Sequence, residues 1–198
     1  MNARKLSLSF YLRPTLTVAK DLLGKILIRK VRGKIISGMI VETEGYLGEK
    51  DPASHAFRGK TKRNEVMFGR GGHLYVYFTY GMHYCSNVVT EEGGKARAVL
   101  LRAVEPLSGI GIMEKNRGPK FDESGPVKLT NGPAKLCEAF GFGRETNGAD
   151  LLGSEVYIAV GSPVPRNRIV TTTRIGVNNG REKKWRFYIS GNKYVSRP

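Results

Sequence analysis

Lys34-Ile-Ile-Ser-Gly-Met-Ile-Val-Glu-Thr-Glu-Gly-Tyr46 is the stretch on which the fold turns. Its β-branched and apolar residues predict a strand over 34–44, leaving a turn at Arg32-Gly33. Ile26–Lys30 before the turn reads as the hairpin partner. Leu16–Leu23 carries apolar residues at helical spacing and stops at Gly24, so a helix precedes the hairpin. Beyond Tyr46, residues 48–64 are polar and rich in turn formers, which suits an ordered functional loop.

Further strands are expected over His73–Thr79, His83–Thr90 and Ala96–Val104, the last ending at Glu105-Pro106. A helix is expected over Leu107–Asn116 and a mobile loop over Arg117–Leu129. Asn131–Phe140 reads as a helix with Asn131 as cap, Pro133 in the first turn and Gly141 past the end. Short strands are expected over Glu155–Val160, Ile169–Val177 and Trp185–Ile189. Strands outweigh helices and hairpin-length connections dominate. The fold class is α+β, with a largely antiparallel sheet in one domain spanning 1–198.

A chain of 198 residues with 40% hydrophobic content buries a core without staples. No segment approaches the roughly 20 apolar residues of a membrane span. The start, Met1-Asn-Ala-Arg-Lys-Leu-Ser, does not read as a secretion signal, so a cytoplasmic protein is expected. Cys85 and Cys137 are then expected as free thiols. His55, His73 and His83 form no metal-ligand spacing, and no metal is expected. The net charge of +16 favours a polyanionic partner without separating DNA from RNA, or an enzyme from a passive binder.

Several side chains could carry chemistry. Glu42, Glu44 and Tyr46 lie two apart on an extended segment and share a face, just after apolar Met39-Ile-Val41. Carboxylates held near apolar walls can act as bases, although solvated strand-end charges are the commoner reading of this feature alone. Tyr75 and Tyr77 share a strand face, and Tyr80 and Met82 flank Gly81 at a hairpin tip. An exposed aromatic there could wedge into a base stack, or simply decorate a sheet edge. Asn87 could read a base edge or satisfy local backbone, and Arg102 could orient a carboxylate or pair with a structural acid.

In order, these residues form a pattern that resembles the alkyladenine (3-methyladenine, hypoxanthine) DNA glycosylase family over nearly the whole length. The landmarks are Asp21-Leu-Leu-Gly-Lys, Val41-Glu-Thr-Glu-Gly-Tyr-Leu-Gly, Ser54-His55, Thr61-Lys-Arg-Asn64, Met67-Phe68, Leu74-Tyr-Val-Tyr, Tyr80-Gly-Met, Cys85-Ser-Asn87, Leu100-Leu-Arg-Ala, Gly132-Pro-Ala-Lys-Leu-Cys137 and Arg174-Ile-Gly-Val177. The chain departs from the family pattern at Thr79 and His83.

The resemblance implies a curved sheet with flanking helices and a protruding, DNA-intercalating β-hairpin. It implies Glu44 as the base that activates water, Arg102 as its orienting partner and the Ile175 backbone carbonyl as a water ligand. Tyr46 would stack on one face of an extruded base, with His55 and Tyr77 on the other. Tyr80 would fill the gap in the duplex, with Met82 beside it, and Asn87 would crowd the amino group of normal guanine. Thr61, Arg63 and Asn64 would grip the DNA backbone. The implied activity is monofunctional base excision from double-stranded DNA holding damaged purines, by a compact bacterial monomer without cofactor, working at the nucleoid. A non-catalytic nucleic-acid-binding module is the alternative. A metal-dependent nuclease lacks the acidic cluster that it would need.

Overall fold

The computed structural model describes residues 4–121 and 125–197. Two helices, α1 (Leu8–Tyr11) and α2 (Thr15–Asp21), precede strands β1 (Ile26–Val31) and β2 (Lys34–Tyr46). After the 48–64 loop come β3 (Leu74–Thr79), β4 (His83–Val89) and β5 (Ala98–Ser108), then α3 (Ile110–Arg117) and α4 (Pro133–Phe140). Three short strands close the chain: β6 (Val156–Ala159), β7 (Ile169–Thr172) and β8 (Arg186–Ile189). Every pairing is antiparallel, and the sheet runs β3-β4-β5-β2-β1-β6. This is the expected α+β domain. Among the described residues no helix is long and apolar enough to cross a membrane.

The long strand β2 is the spine of the sheet. One edge pairs with β5 along most of its length. The other edge is shared: β1 pairs with residues 34–39, then β8 takes over at Glu42–Glu44. Three residues drop out of the β2–β5 register, two of them near the end of β2. Ile40 faces Val104 and Glu42 faces Ala103, so Val41 is extra; Thr43 then faces Leu101, so Arg102 is extra. Such bulges bend strands and re-aim side chains.

Helix α2 buries Thr15, Val18, Ala19 and the following Leu22, the spacing of one helical face. It lies close over β2. A Cβ at Gly45 would come within 2.5 Å of Leu16 Cδ2, so a larger residue there would have to displace the Leu16 side chain. Helix α4 buries Leu136, Cys137, Ala139 and Phe140 against β4 and β5, and α3 adds Met113. Cys85 and Cys137 are free and buried.

Several boundaries differ from expectation. Strand β5 runs on past Pro106 to Ser108, because Pro106 faces Gly38 at a further irregularity where the missing N–H is tolerated. The next helix therefore starts at Ile110 rather than Leu107. Asn131 is not the cap of α4. Gly132 holds that position, while Asn131 bridges Ala103 by backbone and accepts from Lys135 Nζ at 2.8 Å. The strand expected over Ile169–Val177 ends at Thr172, and the chain then leaves the sheet towards the spine. Short 3-10 turns, Gly118–Lys120 and Pro126–Leu129, flank part of the loop expected to be mobile; residues 122–124 of it lie outside the described residues.

Candidate active site

A cavity of about 390 Å³ opens where β2, β3, β4 and β5 meet the 48–64 loop and the segment after Thr172. Tyr46, His55, Tyr77, Tyr80, Asn87, Arg102 and Ile175 all line it. Glu44 lies beneath them, fully buried with Glu42. Neither is a solvated strand-end charge, because the bulge at Arg102 turns a guanidinium towards both.

Glu44 is held by three donors. The Ile175 backbone N–H donates to Oε1 at 2.8 Å, the Tyr46 hydroxyl donates to Oε2 at 2.9 Å, and Arg102 Nη1 forms an ion pair at 3.2 Å. Ile175 thus meets Glu44 through its N–H, a contact that the sequence does not announce. Glu42 is tied more tightly. Arg102 Nε, Arg186 Nε and the Ser196 hydroxyl donate to Oε1, and the Ser196 N–H donates to Oε2 at 2.7 Å. Burial alone would raise the Glu42 pKa; Arg102, the Ser196 N–H and Arg186 outweigh it and hold the carboxyl below its usual range. Burial likewise opposes the Arg102 cation, but Glu44 and Glu42 raise its pKa on balance. Glu42 is therefore a structural anchor, and Arg102 links it to Glu44.

Much of the cavity wall is aromatic. Burial, then the Glu44 charge, pushes the Tyr46 phenol well above its ordinary pKa, so it stays a hydrogen-bond donor. Also lining the cavity, the His55 and Tyr77 rings meet edge to face at 4.2 Å, and Tyr75 stacks beside Tyr77 at 5.4 Å. His55 Nδ1 lies 3.3 Å from the Tyr75 hydroxyl. Partial withdrawal from water, with Arg63 nearby, lowers the His55 pKa. Burial pushes Tyr75 up to about 12 and Tyr77 further still, so both phenols remain neutral. On the same sheet face, Asn87 Nδ2 donates to the Tyr75 carbonyl at 3.2 Å.

The hairpin β3–β4 carries Tyr80 at the cavity rim and Met82 outside it, 83% and 64% exposed. Directly after the turn it is tied to α4 through His83 Nδ1, 3.1 Å from Glu138 Oε1, and Arg117 pairs with the same carboxylate. Met82, Thr61, Arg63 and Asn64 do not line the cavity. Arg63 is exposed and donates to the Phe78 carbonyl at 2.6 Å. Thr61 is exposed, whereas Asn64 is buried. The Asn64 side chain accepts from the Thr61 N–H and donates to the His55 and Gly59 carbonyls, so it shapes the loop from within.

Sequence reasoning missed a second ion pair behind the site. Arg174 donates to both Asp51 oxygens at 2.6 and 2.8 Å, and both side chains are fully buried. Arg174 also donates to the Gly45 carbonyl, and its guanidinium lies 4.6 Å from the Tyr46 ring centre and 5.0 Å from that of Trp185. Asp51 accepts from the Leu47 and Ala53 N–H groups as well. The pair thus joins β2, the 48–64 loop and the Ile175 segment. Among the described residues no group of acids, histidines or cysteines is arranged to hold a metal.

The comparisons with known proteins agree with one another. The family described as methylpurine-DNA glycosylase (MPG) matches residues 9–193. A protein of Carboxydothermus hydrogenoformans named "Putative 3-methyladenine DNA glycosylase" is 54% identical, over 95% of this chain and 96% of its own length. Proteins of the same name from Chlorobaculum parvum and Desulfitobacterium hafniense are each 46% identical, over 98% of this chain and 91% and 98% of their own lengths. With this match across the sheet, the cavity and the buried carboxylates, the chain belongs to the methylpurine-DNA glycosylase family.

Proposed function

We propose that the chain excises damaged purines from duplex DNA by hydrolysis, with Glu44 activating the water. The observation that carries this reading is the Glu44 carboxylate, buried beneath an aromatic cavity and fixed by three donors. A carboxylate offers about four acceptor positions, so three fixed donors leave room for one water. Ionised, it would accept that water's proton and stabilise positive charge developing on the sugar. Arg102 holds the carboxylate, and the Ile175 carbonyl is the proposed second ligand of the water.

The target base lies inside a duplex, so its nucleotide must be extruded, at a cost of roughly a few kcal/mol. The exposed Tyr80, with Met82 beside it, would fill the hole. The extruded purine would enter between Tyr46 and the His55–Tyr77 pair, with Asn87 rejecting an exocyclic amino group. Arg63 and Thr61, on a loop braced by Asn64, would meet the backbone phosphates. The candidate lesions are 3-methyladenine, 7-methylguanine, hypoxanthine and ethenoadenine. No lysine lines the cavity among the described residues, which favours hydrolysis to an abasic site over a lyase step. One wedge on one lesion needs no symmetry, so a monomer is the expected working form, acting on DNA at the bacterial nucleoid.

The test is a duplex with a single hypoxanthine, incubated with the protein in chelator and then treated with alkali. Strand breaks at the lesion are expected, and Glu44→Gln should abolish them while leaving binding to the damaged duplex largely intact. A Glu44→Gln variant that released hypoxanthine at the parental rate would sink the assignment of the base. Binding without any excision by the parent would favour the passive nucleic-acid binder.

A further inference from the structure

Beneath the cavity the charges balance. Glu42, Glu44 and Asp51 are buried together with Arg102, Arg174 and Arg186, each acid against an arginine. The slot therefore has no surplus of negative charge to attract a cationic base.

Its walls lean the other way. Arg174 lies 4.6 Å from the centre of the Tyr46 ring, is fully buried, and does not line the cavity, whereas Tyr46 does. The guanidinium accordingly occupies the ring face turned away from the slot. Elsewhere on the wall the Arg63 guanidinium lies 5.9 Å from the centre of the Tyr77 ring. A backbone phosphate can neutralise Arg63 when DNA binds, but Arg174 is sealed in and keeps its charge. A cation on one face of an aromatic ring draws π density towards itself. The other face then holds a second cation less well, and the two like charges repel through the ring.

We propose that Arg174 is a specificity-determining residue that biases excision towards neutral purine lesions, such as hypoxanthine and ethenoadenine, over cationic alkylated purines. The proposal rests on the reading of Tyr46 as a wall of the base slot. Asp51 tempers the bias. It binds the guanidinium edge through two parallel hydrogen bonds, so its negative charge offsets part of the field that reaches the ring.

The experiment compares single-turnover excision of ethenoadenine, which is neutral, with that of 7-methyladenine, which is cationic. Both lack the amino group of guanine, so Asn87 does not enter the comparison. Expressing each variant relative to the parent cancels intrinsic differences in bond lability. The double variant Arg174→Gln/Asp51→Asn removes both charges and keeps hydrogen-bonding groups. Its ethenoadenine-to-methyladenine ratio is expected to fall by roughly five- to tenfold. Asp51→Asn alone leaves the guanidinium uncompensated and should move the ratio the other way. Opposite movements support the proposal, and either variant alone, if it is the one that folds, decides by its sign. A folded variant that slows both lesions equally overturns it and leaves the pair as a mechanical brace. Failure of the underlying slot reading shows separately: Tyr46→Leu would then excise both lesions as fast as Tyr46→Phe, which lacks the same hydroxyl.

Discussion

Arg102 spans the gap between Glu42 and Glu44. Its Nε donates to Glu42 Oε1 at 2.9 Å, and its Nη1 lies 3.2 Å from Glu44 Oε1. One residue thus joins a carboxylate locked into the fold to the carboxylate proposed for chemistry. Arg102→Gln removes the charge that balances two buried acids. Breaking a buried pair in this way destabilises by about 3 kcal/mol, which in a domain of this size lowers the melting temperature by roughly 6–12 °C. Excision should fall by about a hundredfold, the usual scale for loss of a preorganised electrostatic partner. Thermal unfolding and single-turnover assays check both, and an unchanged melting temperature would mean that the bridge carries no weight.

Tyr46→Phe separates the two parts that Tyr46 is proposed to play. The ring stays to stack on the base, while the hydroxyl that donates to Glu44 Oε2 is lost. A hydrogen bond to a charged group contributes about 1.5–3 kcal/mol, so kcat should drop roughly tenfold or more while KM stays nearly constant. A rise in KM with kcat untouched would place the hydroxyl in binding instead.

The lowered pKa of His55 carries a pH signature. A histidine whose folded pKa lies below its unfolded value of 6.5 favours the folded state when neutral. Its contribution is present above that value and is lost as pH falls through the folded pKa. Stability should therefore decline on the acid side, modestly because His55 is exposed at the cavity mouth. His55→Gln should flatten this part of the stability-versus-pH curve, as urea titrations from pH 7 down to pH 5 would show. A curve of the same slope would rule His55 out as its source.

Tyr80→Ala removes a side chain that packs on little of the free protein. Stability should change by no more than about 0.5 kcal/mol. Affinity for a hypoxanthine duplex and the rate of excision should each fall, by roughly tenfold if the ring offsets part of the unstacking. Parental excision by this variant would remove Tyr80 from the mechanism.

The strands around Lys34–Tyr46 were legible because β-branched residues and turn signals recur at strand spacing. The bulges were not, since an extra residue at Val41 or Arg102 leaves no trace in the apolar pattern. That blindness mattered at the site, because the bulge makes Arg102 reach both acids. Glu44, Tyr46, His55 and Tyr77 were found through the order of short motifs rather than through periodicity. Asp51, Arg186 and Ser196 carried no local signal: each lies far along the chain from its partner, and only the closed sheet brings them together. Arg174 stood inside a recognised motif, but its burial against Asp51 could not be read from one dimension. Asn131 shows the opposite error, a good cap residue by type whose backbone was drawn into a bridge with Ala103.

The tip of the β3–β4 hairpin has a consequence for engineering. Tyr80 has φ 51° and Gly81 φ 66°, so a bulky aromatic sits in left-handed backbone that asparagine or glycine occupies more comfortably. Such strain is of order 1 kcal/mol and is kept where the surroundings or a selected task demand it. A stability screen of this chain would therefore reward Tyr80→Asn or Tyr80→Gly, and on the proposed mechanism it would blunt the enzyme as it did so. Thermal robustness and lesion capture pull against each other at this one residue, and a thermostable repair enzyme built on this scaffold should be improved everywhere except there.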